Sequence, residues 1–146
     1  MFDIKVTRWL NKPIEDVFES LADHANYQRF NAVEASELIE PGHAEPNGEG
    51  ALRRVVVKPF TLFERIVKFE RPHCIGYQIE RSSPIRFVHE IGQVNLIPKD
   101  GGTEVTWISK GYLAVPIFGK LFLDKQVQKQ GGAGFASILK AVEQES

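Results

Sequence analysis

Hydrophobic and polar positions along this chain follow two periods, and the switches between them mark its elements. Phe2, Ile4 and Val6, trailing into Arg8–Trp9, alternate at period two and predict a first strand. Asn11–Lys12–Pro13 then opens a helix over Pro13–Ala22. Pro13 suits the start because its missing N–H would find no partner there, and Glu15 and Asp16 sit in the first turn, where the dipole favours acids. Ile14, Val17, Phe18 and Leu21 keep the i, i+3, i+4, i+7 spacing of one buried helix face. A second short helix is predicted over His24–Phe30, carrying Tyr27 and Phe30, followed by a strand around Val33–Ile39. Pro41–Gly50, dense in glycine and proline, is a loop. Beyond it the chain reads as an antiparallel meander. Its strands are Leu52–Val57, Leu62–Glu70 after Pro59, Cys74–Arg81 after Arg71–Pro72, and Arg86–Ile97 after Ser82–Ser83–Pro84. Lys99–Asp100–Gly101–Gly102, the strongest hairpin signal, leads into Thr103–Lys110.

The final element is one long helix from Pro116 to about Glu143, about 40 Å at 1.5 Å per residue. Ile117, Leu121, Phe135, Ile138, Leu139 and Val142 project to one side of it. The middle of that side carries Asp124, Gln128, Gly131 and Gly132 where bulky hydrophobes would be expected. A helix that packs at both ends and lacks bulk at its centre fits the roof of a cavity. The alternative is that Gly131, Gly132 and Gly134 kink the helix or let it approach a neighbour closely.

The hairpin also sets a register. If Pro98 pairs with Thr103, then Leu96 opposes Val105, Val94 opposes Trp107 and Gly92 opposes Ser109, all on one face. The apolar character of Leu96, Val105, Val94 and Trp107 makes that face the inward one, since the alternates Glu104, Thr106 and Asn95 are polar. Tyr77, with Ile75 and Ile79, has the inward parity of its own strand. By the same parity Glu90 points to the cavity mouth and His89 outward; a bulge near Gly92 exchanges the two.

Strand, helices, a run of antiparallel strands and a long last helix define an α+β order. No repeat or linker interrupts it, and a length of 146 residues fits a single domain over 1–146. A net charge of −1 gives no global pull toward nucleic acid or an anionic membrane, and no apolar run reaches membrane-spanning length. MFDIKVTRWL lacks a signal-peptide core, and the single Cys74 excludes an internal disulfide; together they lead us to expect a cytoplasmic protein.

Several local motifs occur in a specific order. They are Pro13–Ile14–Glu15–Asp16–Val17–Phe18, Ala22–Asp23–His24 with Tyr27, and Gly42 with Pro46–Asn47–Gly48–Glu49–Gly50–Ala51 and Arg53. Phe69–Glu70–Arg71–Pro72, Tyr77, Gly92 with Val94 and Leu96, Gly101–Gly102–Thr103, and Val105 with Trp107 follow. In this order the chain resembles, over its whole length, the polyketide cyclase/dehydrase and lipid-transport superfamily, which has the START-related helix-grip fold. The resemblance implies a curved antiparallel sheet of about seven strands wrapped around the long C-terminal helix, with two short helices after the first strand. It also implies an apolar cavity between sheet and helix. It does not imply one reaction, because the superfamily includes aromatase/cyclases, carriers of lipids and sterols, and quinone-binding proteins.

The search for chemistry is leaner. No G-x-S-x-G or assembled serine–histidine–acid set is present, and the histidines (His24, His43, His73, His89) are scattered, with no metal-ligand spacing. His24, beside Asp23, reads as a capping or surface residue. Gly48–Glu49–Gly50 and Gly131–Gly132–Ala133–Gly134 lack the context of a phosphate loop, so neither a cofactor nor a metal is expected. Arg53, Arg54 and Arg81 read as solvated strand residues or as partners of a substrate carboxylate. Three readings follow. The first is a carrier or binding protein for a small apolar or aromatic ligand (lipid, polyketide or quinone-like), held by Tyr77, Val94, Trp107, Phe118, Gln128 and Gly132. The second is a cyclase/dehydrase-type enzyme with Glu90, Tyr77, Arg53 or Tyr112 polarising a carbonyl and moving a proton. The third is an interaction module with a vestigial cavity, in which exposed Phe122 and Leu123 meet a partner or a second copy in a homodimer.

Overall fold

The computed structural model describes the backbone of residues 1–146 and every side chain except those of Ile117 and Phe118. Among the described residues the order is β1 (Phe2–Leu10), α1 (Ile14–Ala22), a 3-10 helix (His24–Arg29), β2 (Ala35–Glu40), β3 (Leu52–Val57), β4 (Phe60–Glu70), β5 (Cys74–Ser83), β6 (Phe87–Lys99), β7 (Gly102–Leu113) and α2 (Ile117–Gln144). The strands form one antiparallel sheet in the order β1-β7-β6-β5-β4-β3-β2. This is the helix-grip arrangement, and the sheet curves around α2. β1 and β2 lie at opposite edges of the sheet, so α1 and the 3-10 helix carry the chain from one edge to the other.

Local sequence chemistry accounts for most of these elements. α1 buries Ile14, Val17, Phe18, Leu21 and Ala22, the face its spacing predicts. The β6–β7 hairpin turns at Asp100 and Gly101, with φ of 51° and 79°, the left-handed pair that a two-residue hairpin loop needs. Pro98 pairs with Thr103, Leu96 with Val105, Val94 with Trp107 and Gly92 with Ser109, as the hairpin register predicts.

The register changes at one point. A bulge between His89 and Ile91 leaves Glu90 as the extra residue on β6. Parity alone turns Glu90 inward. The bulge reverses this: Glu90 is exposed and His89 is buried.

α2 also departs from its helical projection. Asp124 is buried at 2% exposure, whereas Leu121 is 68% exposed. Asp124 Oδ1 accepts the backbone N–H of Leu113 at 3.1 Å, and Oδ2 lies 2.7 Å from the N-terminal ammonium. These polar groups set the rotation of the first half of the helix. It leans onto the flank of Leu123 and Val127, and Leu121, roughly 60° to the other side of Asp124, turns to solvent. Leu123, expected to be exposed, is therefore half-buried, while Phe122 is 64% exposed. Gly131 marks a close approach, since a Cβ there would lie 2.6 Å from Ile4 Cδ1 on β1.

Buried hydrophobes gather in two clusters. The larger joins α1, the 3-10 helix, the inner sheet face and Ile138, Leu139 and Val142 of α2. The smaller is built on Phe2, Ile4, Ile79, Phe87 and Leu113, beneath the first half of α2.

Candidate functional site

Between the two clusters lies a cavity of about 270 Å³. Phe2, Ile4, Ile79 and Phe87 wall one side of it, and Tyr27, Val55, Tyr77 and Trp107 the other. Val127, Gln130, Gly131, Gly134 and Phe135 of α2 form the roof. Lys58, at the β3–β4 turn, and Ala32 lie at its rim, and a Cβ on Gly134 would stand 3.8 Å from that of Ala32. Trp107 lies flat against Phe135, with ring centroids 4.2 Å apart and planes 7° apart, which ties the sheet to the roof.

Two polar networks reach this apolar chamber. The first crosses from β3 to β4, where Arg53 pairs with Glu64. Arg53 Nε donates to Glu64 Oε1 at 2.8 Å, and both side chains are almost wholly buried. Arg53 Nη1 donates to His24 Nδ1 at 3.1 Å, while His24 Nε2–H donates to the carbonyl of Asn47 at 2.8 Å. Because a guanidinium only donates and a carbonyl only accepts, His24 is the neutral Nε2–H tautomer. Burial first, then the charge of Arg53, lowers its pKa to about 3. His24 is thus neither a cap nor a surface residue; it links the 3-10 helix to the Pro41–Gly50 loop. Arg53 is likewise not solvated. Its guanidinium carbon stands 5.1 Å from the ring centroids of both Tyr27 and Tyr77.

The second network depends on the bulge. The backbone N–H of Ile79 donates to His89 Nδ1 at 3.1 Å, so the ring carries its proton on Nε2, which donates to Ser109 Oγ at 2.9 Å. Burial lowers the pKa of His89 to about 4. Ser109 and Tyr77 both line the cavity. Trp107 Nε1–H donates to Tyr77 Oη at 2.9 Å. Burial, followed by the charge of Glu64, pushes the Tyr77 phenol above its ordinary pKa, so it stays protonated. Gly92 makes room for this arrangement: a Cβ there would lie 2.5 Å from Tyr77 Cε2 and 2.7 Å from His89 Cε1.

The residues singled out from sequence scatter in the structure. Tyr77, Trp107 and Arg53 line the cavity together. Val94 is 3% exposed and packs in the larger cluster beside Trp107, outside the lining. Gln128 is exposed, its Oε1 accepting the N–H of Asp3 at 3.0 Å. A Cβ on Gly132 would meet nothing within 4 Å, and Gly131 and Gly134 face the cavity instead. Tyr112 sits half-buried at β7 with Lys120 Nζ 4.2 Å from its ring centroid, and Glu90 is in solvent. The side chain of Phe118 lies outside the described residues. Sequence reasoning missed Glu64; it placed Ser109 on the inward sheet face and Phe135 on the apolar side of α2, and it reached His89 only through the alternative of a bulge near Gly92. Cross-strand pairing of Arg53 with Glu64 is the one signal that would have found Glu64, and it needs the β3–β4 register.

A cavity walled by a curved antiparallel sheet and roofed by its last helix defines a helix-grip domain. The sequence model for the polyketide cyclase / dehydrase and lipid transport family matches residues 1–143, and the chain belongs to that family. No curated protein sequence matches it. Among solved structures it is similar to a protein of Thermus thermophilus, at 21% identity and a TM-score of 0.77, covering 97% of this chain and 94% of that one. It is also similar to the Zhui aromatase/cyclase of Streptomyces sp. R1128, at 21% identity, TM-score 0.71 and 97% and 93% coverage. A START superfamily protein of Mycobacterium smegmatis aligns at 13% identity, TM-score 0.72 and 99% and 96% coverage. At these identities the likeness is one of fold. Among the described residues, no helix is long and apolar enough to cross a membrane.

Proposed function

We propose that this chain binds one small, largely apolar or aromatic ligand in the cavity and works as a carrier or binding protein. The observation that carries this reading is a chamber of about 270 Å³ with apolar walls whose buried charged groups, Arg53 and Glu64, are paired with each other. Arg53 and Glu64 hold each other, and both histidines are neutral with both ring nitrogens engaged. A catalyst that abstracts a proton needs a free base beside an oxyanion stabiliser. Tyr77 can stabilise an oxyanion, which keeps a cyclase/dehydrase-type enzyme as the second reading, but the carboxylate beside it, Glu64, is held in an ion pair with Arg53.

The test uses the neutral fluorophore N-phenyl-1-naphthylamine. Wild type should take it up with enhanced emission, and native mass spectrometry of protein from its own host should show an apolar passenger. Gly134→Leu extends a side chain into the cavity from a position where its Cβ makes only ordinary contact. It should leave thermal stability unchanged or raised and weaken probe binding by about tenfold or more, on the scale of losing access to one buried aromatic site. Equal probe binding by wild type and Gly134→Leu would place the probe elsewhere and end this reading. Turnover of a polyketide-like substrate that Tyr77→Phe abolishes would favour the enzyme.

A further inference from the structure

The second hydrogen-bond network has a fixed direction. It starts at the backbone N–H of Ile79, which can only donate, so His89 must accept at Nδ1 and donate from Nε2 to Ser109. Ser109, which accepts that proton, lines the cavity beside Tyr77. Tyr77 Oη accepts from Trp107 Nε1–H, an indole that can only donate. The phenol's own O–H has no acceptor among the described residues, and the side chain lines the cavity. One strand away, on the same sheet face, Glu64 also lines the cavity. Its Oε1 is taken by Arg53, while Oε2 has no hydrogen-bond partner among the described residues.

Resting on the ligand-binding reading above, we infer that the polar end of the cavity is a hydroxyl-recognition site, in which Tyr77 donates to a ligand oxygen and Glu64 accepts that oxygen's proton. The ligand class is then an uncharged phenol or alcohol on an apolar body. A hydroxyl is the small group that both accepts and donates at one atom, so it satisfies both partners. A hydrocarbon leaves both without a ligand partner, and a carboxylate meets Glu64 as a like charge while Arg53 is already neutralised. The site therefore separates neutral hydroxylated ligands from fatty or aromatic acids of the same size.

Displacement of N-phenyl-1-naphthylamine by 2-naphthol, naphthalene and 2-naphthoate at pH 7 tests this. Wild type should prefer 2-naphthol over naphthalene by about tenfold, the value of a buried hydrogen bond, with 2-naphthoate weakest. Tyr77→Phe keeps the ring and should erase most of the naphthol preference. Glu64→Gln frees the charge of Arg53 and should raise 2-naphthoate affinity while lowering that of 2-naphthol. If Glu64→Gln does not fold, the wild-type series and Tyr77→Phe decide. Naphthoate binding wild type as tightly as naphthol, or Tyr77→Phe retaining the preference, overturns the inference and leaves the cavity reading intact. Failure of all three compounds and the probe to bind overturns both.

Discussion

Gly92→Ala offers a direct measure of how tightly the site is built. The added methyl would sit 2.5 Å from Tyr77 Cε2, 2.6 Å from Tyr77 Cζ and 2.7 Å from His89 Cε1. Neither ring is a loose end. Tyr77 is held by Trp107 at 2.9 Å, His89 is bonded at both nitrogens, and the two rings stack with centroids 5.6 Å apart. Overpacking a filled core costs about 1–3 kcal/mol. Pushing Tyr77 off Trp107 Nε1–H strands a buried donor, a further cost of about 1 kcal/mol or more. Replacing glycine in a strand returns roughly 0.5–1 kcal/mol of backbone entropy. The balance is a loss of about 2 kcal/mol, or about 6 °C in Tm for a chain of this size. Urea denaturation followed by tryptophan fluorescence should show a lower midpoint with an unchanged slope. Gly132→Ala is the control, because its Cβ meets nothing within 4 Å; it should stabilise the helix by up to about 1 kcal/mol. Gly92→Ala melting with wild type would refute the claim that Tyr77 fills the space above Gly92.

The buried histidines predict acid sensitivity. Their folded pKa values, about 3 for His24 and about 4 for His89, lie below the unfolded value of 6.5. Above pH 6.5 neither state is protonated and the full stability is present. As pH falls below 6.5 the unfolded chain binds protons that the folded chain refuses, so stability drops by up to about 1.4 kcal/mol per pH unit for each ring. Denaturation midpoints should fall from pH 7 to pH 5, and His89→Asn should flatten that slope by about half; a flat wild-type profile would contradict the burial of both rings. Arg53→Leu leaves Glu64 buried without its partner and should cost about 3–5 kcal/mol, while Arg53→Leu with Glu64→Leu should recover much of it. A double-variant loss equal to the sum of the two single losses would mean that the pair is not coupled, and a double-mutant cycle in denaturant measures this.

Local patterning determined much of this protein. The spacing of Ile14, Val17, Phe18 and Leu21 defines the buried face of α1, and Asp100–Gly101 places a left-handed turn that sets the register from Gly92 to Val105. The inward parity of Tyr77 and Trp107, and the missing bulk of α2 near Gly131, follow from the same short-range rules. Those rules act on neighbours, so they fail wherever a distant partner decides. The bulge at Glu90 inverts parity on β6 because His89 finds Ile79 and Ser109 on adjacent strands. The pairing of Arg53 with Glu64 and His24 requires three elements brought together by topology, so sequence alone read Arg53 as solvated or as the partner of a substrate carboxylate and His24 as a capping or surface residue. On α2, Asp124 reaching Leu113 and the chain start sets a rotation that hydrophobicity does not, and Leu121 rather than Asp124 faces water. Sequence thus dictated the elements and the shape of the chamber, while the polar lining that gives the chamber its selectivity was decided by long-range hydrogen bonds, whose donors and acceptors carry no periodic signature.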